Sequence, residues 1–221
     1  MIAVDLPGFG RSAALPDAIE PTIPAYADAF EWFIAELGLQ RPHVAGNSMG
    51  GAIGLELARR RAVASVTAFS PAGFWTPGER AYCQTSLALL AGVPEALRPA
   101  LRAGVRSALG RRLLLAQLFG YPARLPAEEA ADSLESAWAA PALPTALAAF
   151  AAYDFVGGED LDGAKVTVAW GNRDLLLPYR LQAPRAHAAL PRARHLTLGA
   201  GHVPFYDDPG AVASSIELTA T

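Results

Sequence analysis

The pattern Gly-x-Ser-x-Gly at residues 46–50 constrains this chain more than any other feature of its sequence. It lies between a short β-prone run, residues 43–45, and a helix-like run, residues 52–58. A serine at the apex of a sharp strand-to-helix turn is the arrangement called a nucleophile elbow. Glycines on either side would remove side chains that collide in so tight a turn, and the Met49 amide would be a donor for an oxyanion. The simpler interpretation is a glycine-rich connection in which Ser48 is incidental.

Strand and helix patterns alternate along much of the chain. The predicted strands cover residues 2–4, 43–45, 64–69, 165–170 and 194–198. Helical periodicity follows most of them, over residues 24–37, 52–60, 179–190 and 212–218. Strands that alternate with helices are typical of parallel sheets, because a crossover helix returns the chain to the same end of the sheet. We therefore expect an α/β fold with an open, mostly parallel sheet.

The alternation stops between residues 77 and 153. This segment is rich in Ala, Leu and Arg, is punctuated by prolines, and has no strand pattern. The sequence therefore predicts a helical cap at residues 77–153, inserted between two parts of an α/β core at residues 1–76 and 154–221. Several cap arginines have the spacing of a solvated helix face. They are Arg98, Arg102, Arg106, Arg111 and Arg112.

The candidate general base is His202. A serine hydroxyl becomes a strong nucleophile only when a base takes its proton and a third group orients that base. His202 follows the last predicted strand, and the carboxyl ends of parallel strands gather ligands and catalytic groups. The other histidines fit less well, because His43 begins a strand, His187 lies in a helix and His195 lies inside a strand.

Asp174 is the candidate orienting acid, because it follows one predicted strand as His202 follows the next. Asp207 and Asp208 fit better as N-cap residues of the closing helix. The simpler interpretations are an Asx turn at Asp174 and a solvated loop histidine at His202. If the three residues form a catalytic unit, Ser48 Oγ should lie about 2.6–3.2 Å from a ring nitrogen of His202.

The predicted cap should lie over the carboxyl edge of the sheet, above Ser48. Pockets in such positions are commonly lined by apolar side chains. We expect Phe74 or Trp75 in the wall of this pocket, together with leucine and phenylalanine side chains of the cap.

Composition excludes several classes of function. The chain has 221 residues, of which 52% are hydrophobic and 18% charged, as in a soluble globular protein. A net charge of −3 gives no reason to expect a nucleic acid or an anionic membrane as partner. Cys83 is the single cysteine, and no Cys/His cluster has metal-ligand spacing. The start of the chain lacks the pattern of a signal peptide, so we expect a cytoplasmic protein. The expected partner is a small-molecule substrate.

Three sequence blocks resemble a known family. They are residues 5–12 (Asp-Leu-Pro-Gly-Phe-Gly-Arg-Ser), the pattern at residues 46–50 (Gly-Asn-Ser-Met-Gly), and the pair formed by residues 171–174 and 199–204. On these blocks the chain resembles α/β-hydrolase-fold enzymes of the esterase, C–C hydrolase and haloperoxidase-like group. The resemblance extends over essentially the whole chain.

The resemblance implies roles for four residues. Ser48 would be the nucleophile, His202 the general base and then acid, Asp174 its orienting acid, and the Met49 amide one oxyanion donor. The implied reaction is acyl transfer from a small, mostly apolar carboxylic ester, without cofactor or metal. One alternative is C–C bond hydrolysis of ring-cleavage diketones, which the elbow sequence favours, although the segment after His202, residues 203–206, lacks the tryptophan that this group often has there. The other is a catalytically silent fragment or interaction domain.

One departure from the family concerns residues 5–12. In the family this block follows the fourth strand of the sheet, so the first three strands and the loop that supplies a second oxyanion donor have no counterpart here. We therefore expect an N-terminally truncated sheet of about five strands. Its first strand, residues 2–4, should pair with residues 43–45 or stay detached at an exposed edge. Such an edge would lower stability and favour self-association, and one missing oxyanion donor would lower the rate.

Overall fold

A computed structural model describes residues 1–140, 142–161 and 163–221 of the chain. Its sheet consists of four parallel strands that lie side by side in chain order. The strands are β1 (His43–Asn47), β2 (Ser65–Phe69), β3 (Lys165–Gly171) and β4 (Arg194–Leu198). The expected α/β class with an open parallel sheet is confirmed. Because the strands are parallel, the loops that follow them all begin at one edge of the sheet, the carboxyl edge.

The described residues form ten α-helices. They are α1 (Ile23–Glu36), α2 (Met49–Arg59), α3 (Pro77–Ala91), α4 (Arg98–Gly104), α5 (Ala108–Leu115), α6 (Ala127–Trp138), α7 (Leu143–Ala149), α8 (Tyr179–Ala189), α9 (Pro204–Asp207) and α10 (Pro209–Ala220). Across the described ranges, none of these helices has both the length and the apolar character needed to cross a bilayer.

Helices cover both faces of the sheet. α2 packs against β1 and β2 and carries α1 on its outer side, whereas α10 packs against β2 and β3. Successive side chains of a strand point to opposite faces, and the two cores follow this alternation. Val66 and Val168 belong to the larger core with α2, while Phe69 and Ala169 pack with Val212 of α10. The buried strands β2 and β3 therefore contribute side chains to a core on each side of the sheet.

The first predicted strand does not form. Residues 2–4 have no regular secondary structure, so their assignment as a strand is wrong. No backbone hydrogen bond joins them to β1 in the described part of the chain, and Ile2 and Val4 are exposed. A β-prone sequence becomes a strand only through pairing and burial, and this segment obtains neither. The sheet consequently has four strands, and β1 is an edge strand that pairs with β2.

The segment between β2 and β3 contains α3 to α7 and, among its described residues, no strand. It is bonded to loops that follow β3 and β4. The Tyr82 hydroxyl donates to the Leu175 carbonyl at 3.1 Å, and the Val203 N–H donates to the Leu118 carbonyl at 2.9 Å. Since both loops leave the carboxyl edge, the helical segment packs on that edge. The boundaries at residues 77 and 153 stay a prediction.

The cap arginines do not share one environment. Arg102 forms a surface ion pair with Glu135, which agrees with a solvated helix face. Arg111 instead donates to the carbonyl oxygens of Val105 and Arg106 at 2.8 and 3.0 Å. The spacing of these arginines therefore does not distinguish a solvent-exposed side chain such as Arg102 from that of Arg111, which stabilises a turn.

Candidate active site

A sharp turn joins β1 to α2 at Ser48. This residue has φ 55° and ψ −114°, and Met49 begins the helix directly after it. Its N–H donates to the Phe69 carbonyl at 2.9 Å, and its carbonyl accepts the Ala52 N–H at 3.0 Å. A positive φ is uncommon for a residue with a side chain and is sustained by the surrounding structure. These hydrogen bonds to β2 and α2 hold the strained backbone in place.

The two glycines of the pattern differ in their structural roles. A Cβ atom placed on Gly46 would lie 2.3 Å from the carbonyl oxygen of Gly50, which is far inside contact distance. A Cβ atom on Gly50 would meet nothing within 4 Å. The expectation that glycine prevents a collision on both sides of Ser48 therefore holds for Gly46 and is wrong for Gly50.

This difference predicts opposite outcomes for two matched variants. Gly46→Ala should lower the free energy of unfolding by about 3 kcal/mol, because backbone atoms must move to admit the methyl group. Gly50→Ala should change it by no more than about 1 kcal/mol, since alanine favours a helix and the space is open. Urea denaturation followed by circular dichroism measures both. Equal midpoints for the two variants would contradict the close approach at Gly46.

His202 and Asp174 form a buried hydrogen-bonded pair. The Nδ1 atom of His202 lies 2.9 Å from Oδ2 of Asp174, and both side chains are buried. The other carboxylate oxygen, Oδ1, accepts the N–H groups of Leu176 and Leu177 at 3.0 and 2.8 Å. The Asx-turn and orienting interpretations of Asp174 are thus compatible, because each uses a different oxygen atom.

This pairing determines what the imidazole can do. With a carboxylate accepting at Nδ1, a neutral His202 carries its proton on that nitrogen and leaves Nε2 as a proton acceptor. If Nε2 takes a proton, the buried charge of Asp174 stabilises the resulting imidazolium. The pair therefore has the electrostatic arrangement of a general base.

Asn47 connects this pair to the elbow. Its side-chain amide donates to the His202 carbonyl at 2.9 Å and to the Phe69 carbonyl at 3.0 Å. The residue directly before Ser48 therefore holds the backbone of His202 at the same sheet edge. Sequence reasoning did not single out Asn47, although an amide side chain at the end of an apolar strand was a usable signal. A direct contact between Ser48 Oγ and His202 stays a prediction.

The other histidines have different surroundings. His43 lies at the start of β1, at the edge opposite the elbow, with its Nδ1 atom 2.7 Å from Ser65 Oγ. The rings of His187 and His195 stack at 4.4 Å, and His195 Nε2 lies 2.9 Å from the Leu190 carbonyl oxygen. Burial lowers the pKa of His195, with a smaller contribution from His187.

Cys83 is not a competing nucleophile. The side chain is buried in the core. Burial, and to a smaller extent the nearby charge of Asp174, raises the pKa of this thiol to about 12. Since the thiolate is the reactive form of cysteine, Cys83 is inert at neutral pH.

The aromatic residues expected in the pocket wall are buried packing residues. The Phe74 ring lies 5.1 Å from that of Phe155 and 6.3 Å from that of Trp170. Trp75 donates its indole N–H to the Tyr153 carbonyl at 3.0 Å. These contacts fasten the chain after β2 to the chain that leads into β3. Their place in a substrate pocket stays a prediction.

Asp207 has a role that sequence reasoning missed. Its Oδ2 atom accepts the N–H groups of Gly120 and Gly201 at 2.7 and 2.8 Å, and its Oδ1 atom accepts that of Tyr121 at 2.9 Å. Asp208 caps α10 through the Ala211 N–H, as predicted. The N-cap assignment of Asp207 is therefore wrong, because this carboxylate joins the helical segment to the loop that carries the candidate base.

Asp207→Ala should consequently have a larger effect than Asp208→Ala. Removing Asp207 leaves three backbone donors without their acceptor, which should lower the free energy of unfolding by about 2 kcal/mol or more. Removing the N-cap Asp208 should cost about 1 kcal/mol. Thermal melts and kcat measured on the same preparations test this prediction, since Asp207→Ala should also lower kcat. An effect on kcat no larger than that of Asp208→Ala would contradict the connecting role.

A parallel sheet with a strained elbow and a buried His–Asp pair at its carboxyl edge defines a hydrolase-type architecture. Residues 1–215 match the alpha/beta hydrolase family, and the chain belongs to that family. The family assignment identifies the protein as a hydrolase.

Similar proteins include hydrolases of different specificity. The "Epoxide hydrolase EphH" of Mycobacterium tuberculosis is 28% identical in an alignment 201 residues long, which covers 86% of this chain and 91% of that protein. The chain spans between about half and two thirds of the length of the other curated relatives that it matches. A thermophilic esterase from Thermogutta terrifontis has a TM-score of 0.70 at 21% identity, over 96% of this chain and 76% of that one. The hydrolase BphD from Rhodococcus sp. strain RHA1 has a TM-score of 0.67 at 20% identity, over 96% and 77%.

Proposed function

We propose that this protein is a serine hydrolase that cleaves small, mostly apolar carboxylic esters by acyl transfer through Ser48. The observation that supports this proposal is the buried His202–Asp174 hydrogen bond, whose histidine backbone is bonded to Asn47, directly before Ser48. These contacts support a mechanism in which a base with its orienting carboxylate acts on the strained serine at the same sheet edge.

The proposed reaction has two halves. Ser48 Oγ attacks the ester carbonyl while Nε2 of His202 accepts its proton, and Asp174 stabilises the imidazolium. The imidazolium then protonates the departing alcohol, which leaves an acyl-Ser48 ester. Water attacks that ester with His202 again as base, and the acid is released. The Met49 N–H, in the first turn of α2, has no acceptor within its own helix and is the proposed oxyanion donor.

Epoxide hydrolysis fits the elbow less well, although one relative carries that name. Attack of a serine oxygen on an epoxide carbon would form an ether, which water cannot cleave under the same acid–base catalysis. A carboxylate at the elbow would instead form an ester, which water can hydrolyse. Because this chain has a serine at that position, the ester is the chemically consistent substrate.

C–C bond hydrolysis is the second candidate. Its specific support is the elbow sequence Gly-Asn-Ser-Met-Gly-Gly, and the same base could serve both reactions. The segment after His202, residues 203–206, lacks the tryptophan that this group often has there, so this candidate ranks below ester hydrolysis. A catalytically silent protein is the third, motivated by the exposed N-terminal residues and the open edge of β1.

One set of assays separates the three candidates. Purified protein is given 4-nitrophenyl butyrate, a ring-cleavage diketone and styrene oxide, and is separately labelled with a fluorophosphonate probe. We expect turnover of the butyrate above that of the other two substrates, and a single adduct on the peptide that contains Ser48. Preferred cleavage of the diketone or epoxide would overturn the substrate assignment. A folded protein with neither turnover nor label would overturn the enzymatic proposal.

A further inference from the structure

A cleft of about 560 Å³ lies between the helical segment and the loop that follows β3. Three arginines line it: Arg112 of α5, Arg124, and Arg173 directly before Asp174. The remaining wall is largely apolar and includes Phe119 and Leu175. Within the described ranges no acidic side chain lines this cleft, so the charged side chains of its lining are all positive.

These arginines have no acidic partner among the described residues. Other arginines of the same segment and its surroundings are paired, such as Arg80 with Asp154 and Arg102 with Glu135. Unpaired guanidinium groups that line a common cleft repel one another and attract an anion.

Two of the guanidinium groups contact the ring of Tyr121. The guanidinium carbons of Arg124 and Arg173 lie 4.2 and 4.4 Å from the centre of its ring. They are therefore at most about 9 Å apart. Contact with an aromatic ring uses a face of the guanidinium and leaves its in-plane N–H groups available to a carboxylate. The ring thus fixes the positive groups without neutralising them.

The cleft lies beside the two loops that carry the candidate catalytic pair. Arg173 and Leu175 flank Asp174 in sequence. Gly120, another residue of the lining, packs so closely on the chain before His202 that a Cβ atom there would lie 2.7 Å from the Gly201 nitrogen. The cleft therefore lies directly against the chain that carries the candidate base.

We propose that this cleft binds a carboxylate at the far end of the substrate, so that the preferred ester carries a negative charge on an apolar stem. This inference rests on the proposed ester hydrolysis and specifies its substrate class. The apolar walls suit the stem, and the arginine N–H groups suit the carboxylate, which guanidinium can bind with two parallel hydrogen bonds. An inorganic anion would interact with the arginines of the cleft but would make no contact with its apolar walls.

Matched chromogenic esters test the proposal. Mono-4-nitrophenyl glutarate and 4-nitrophenyl pentanoate have acyl chains of similar length and differ in a terminal carboxylate. We expect the ratio of their kcat/KM values to fall at least about tenfold in Arg124→Gln and Arg173→Gln, the usual effect of losing a charge-assisted hydrogen bond. The control Arg106→Gln removes an exposed arginine of the same segment that does not line the cleft, and it should leave the ratio unchanged. An equal fall of this ratio in Arg106→Gln would show that the effect arises from net charge alone, and it would overturn the proposal.

A binding measurement separates this proposal from the proposed catalysis. Isothermal titration of Ser48→Ala with monomethyl glutarate and with dimethyl glutarate needs no turnover. We expect Ser48→Ala to bind the monoester more tightly than the diester. Adding Arg124→Gln and Arg173→Gln to this variant should abolish the difference. Absent turnover together with this preference would refute ester hydrolysis and retain the cleft. Equal affinity for the two compounds would overturn the cleft whatever the catalytic result.

Discussion

Ser48→Ala should reduce kcat/KM for 4-nitrophenyl butyrate by at least about 10⁴-fold, since the acyl-enzyme cannot form without the nucleophile. The protein should remain folded, because the elbow is held through the backbone of Ser48, whose N–H and carbonyl bonds do not involve the side chain. Steady-state kinetics and a thermal melt on the same preparation measure both effects.

Ser214→Ala is a suitable control for this variant, because Ser214 is an exposed serine of α10. It should retain wild-type turnover and fluorophosphonate labelling, whereas Ser48→Ala should lose both. Residual activity of Ser48→Ala within tenfold of the wild type would show that another group attacks the ester, and the proposed mechanism would be wrong.

Asp174→Asn should lower kcat by about 10⁴-fold, because an amide facing Nδ1 favours the wrong tautomer of His202 and cannot stabilise its charged form. The amide oxygen can still accept the Leu176 and Leu177 N–H groups, so the loop after β3 should keep its conformation. His202→Ala should lose activity to a similar extent. kcat is measured with 4-nitrophenyl butyrate, and circular dichroism reports on the fold.

The double variant Asp174→Asn with His202→Ala tests whether the two residues act as a unit. Residues that share one catalytic function have non-additive effects, so the double variant should be about as active as His202→Ala alone. Losses that simply multiply would show that Asp174 acts independently of His202. That outcome would leave the observed hydrogen bond without a catalytic role.

Local rules predicted those features that depend on nearby residues. The turn at Ser48 follows from the glycine pattern between a β-prone and a helical run, and the positions of Asp174 and His202 follow from strand ends in a parallel sheet. The same reasoning failed for residues 2–4, because a strand needs a neighbour that the sequence of the strand itself does not reveal.

Long-range contacts explain the other differences between expectation and structure. Asp207 was assigned as a cap from its position before a helix, yet its three donors include Gly120 and Tyr121 from a distant part of the chain. Asn47 likewise bonds to His202, 155 positions later. No periodicity or motif specifies such partners, since they result from how separate elements pack.

The three hydrogen bonds of Asp207 also bear on how a substrate reaches the sheet edge. A single carboxylate binds the backbone of the helical segment and the backbone beside His202, and the Val203–Leu118 bond reinforces the joint. A movement of residues 118–121 away from the sheet would break these bonds. It would also displace the loop that carries His202. Residues 118–121 are therefore anchored to the loop that carries the candidate base, so a substrate must reach the sheet edge without displacing them.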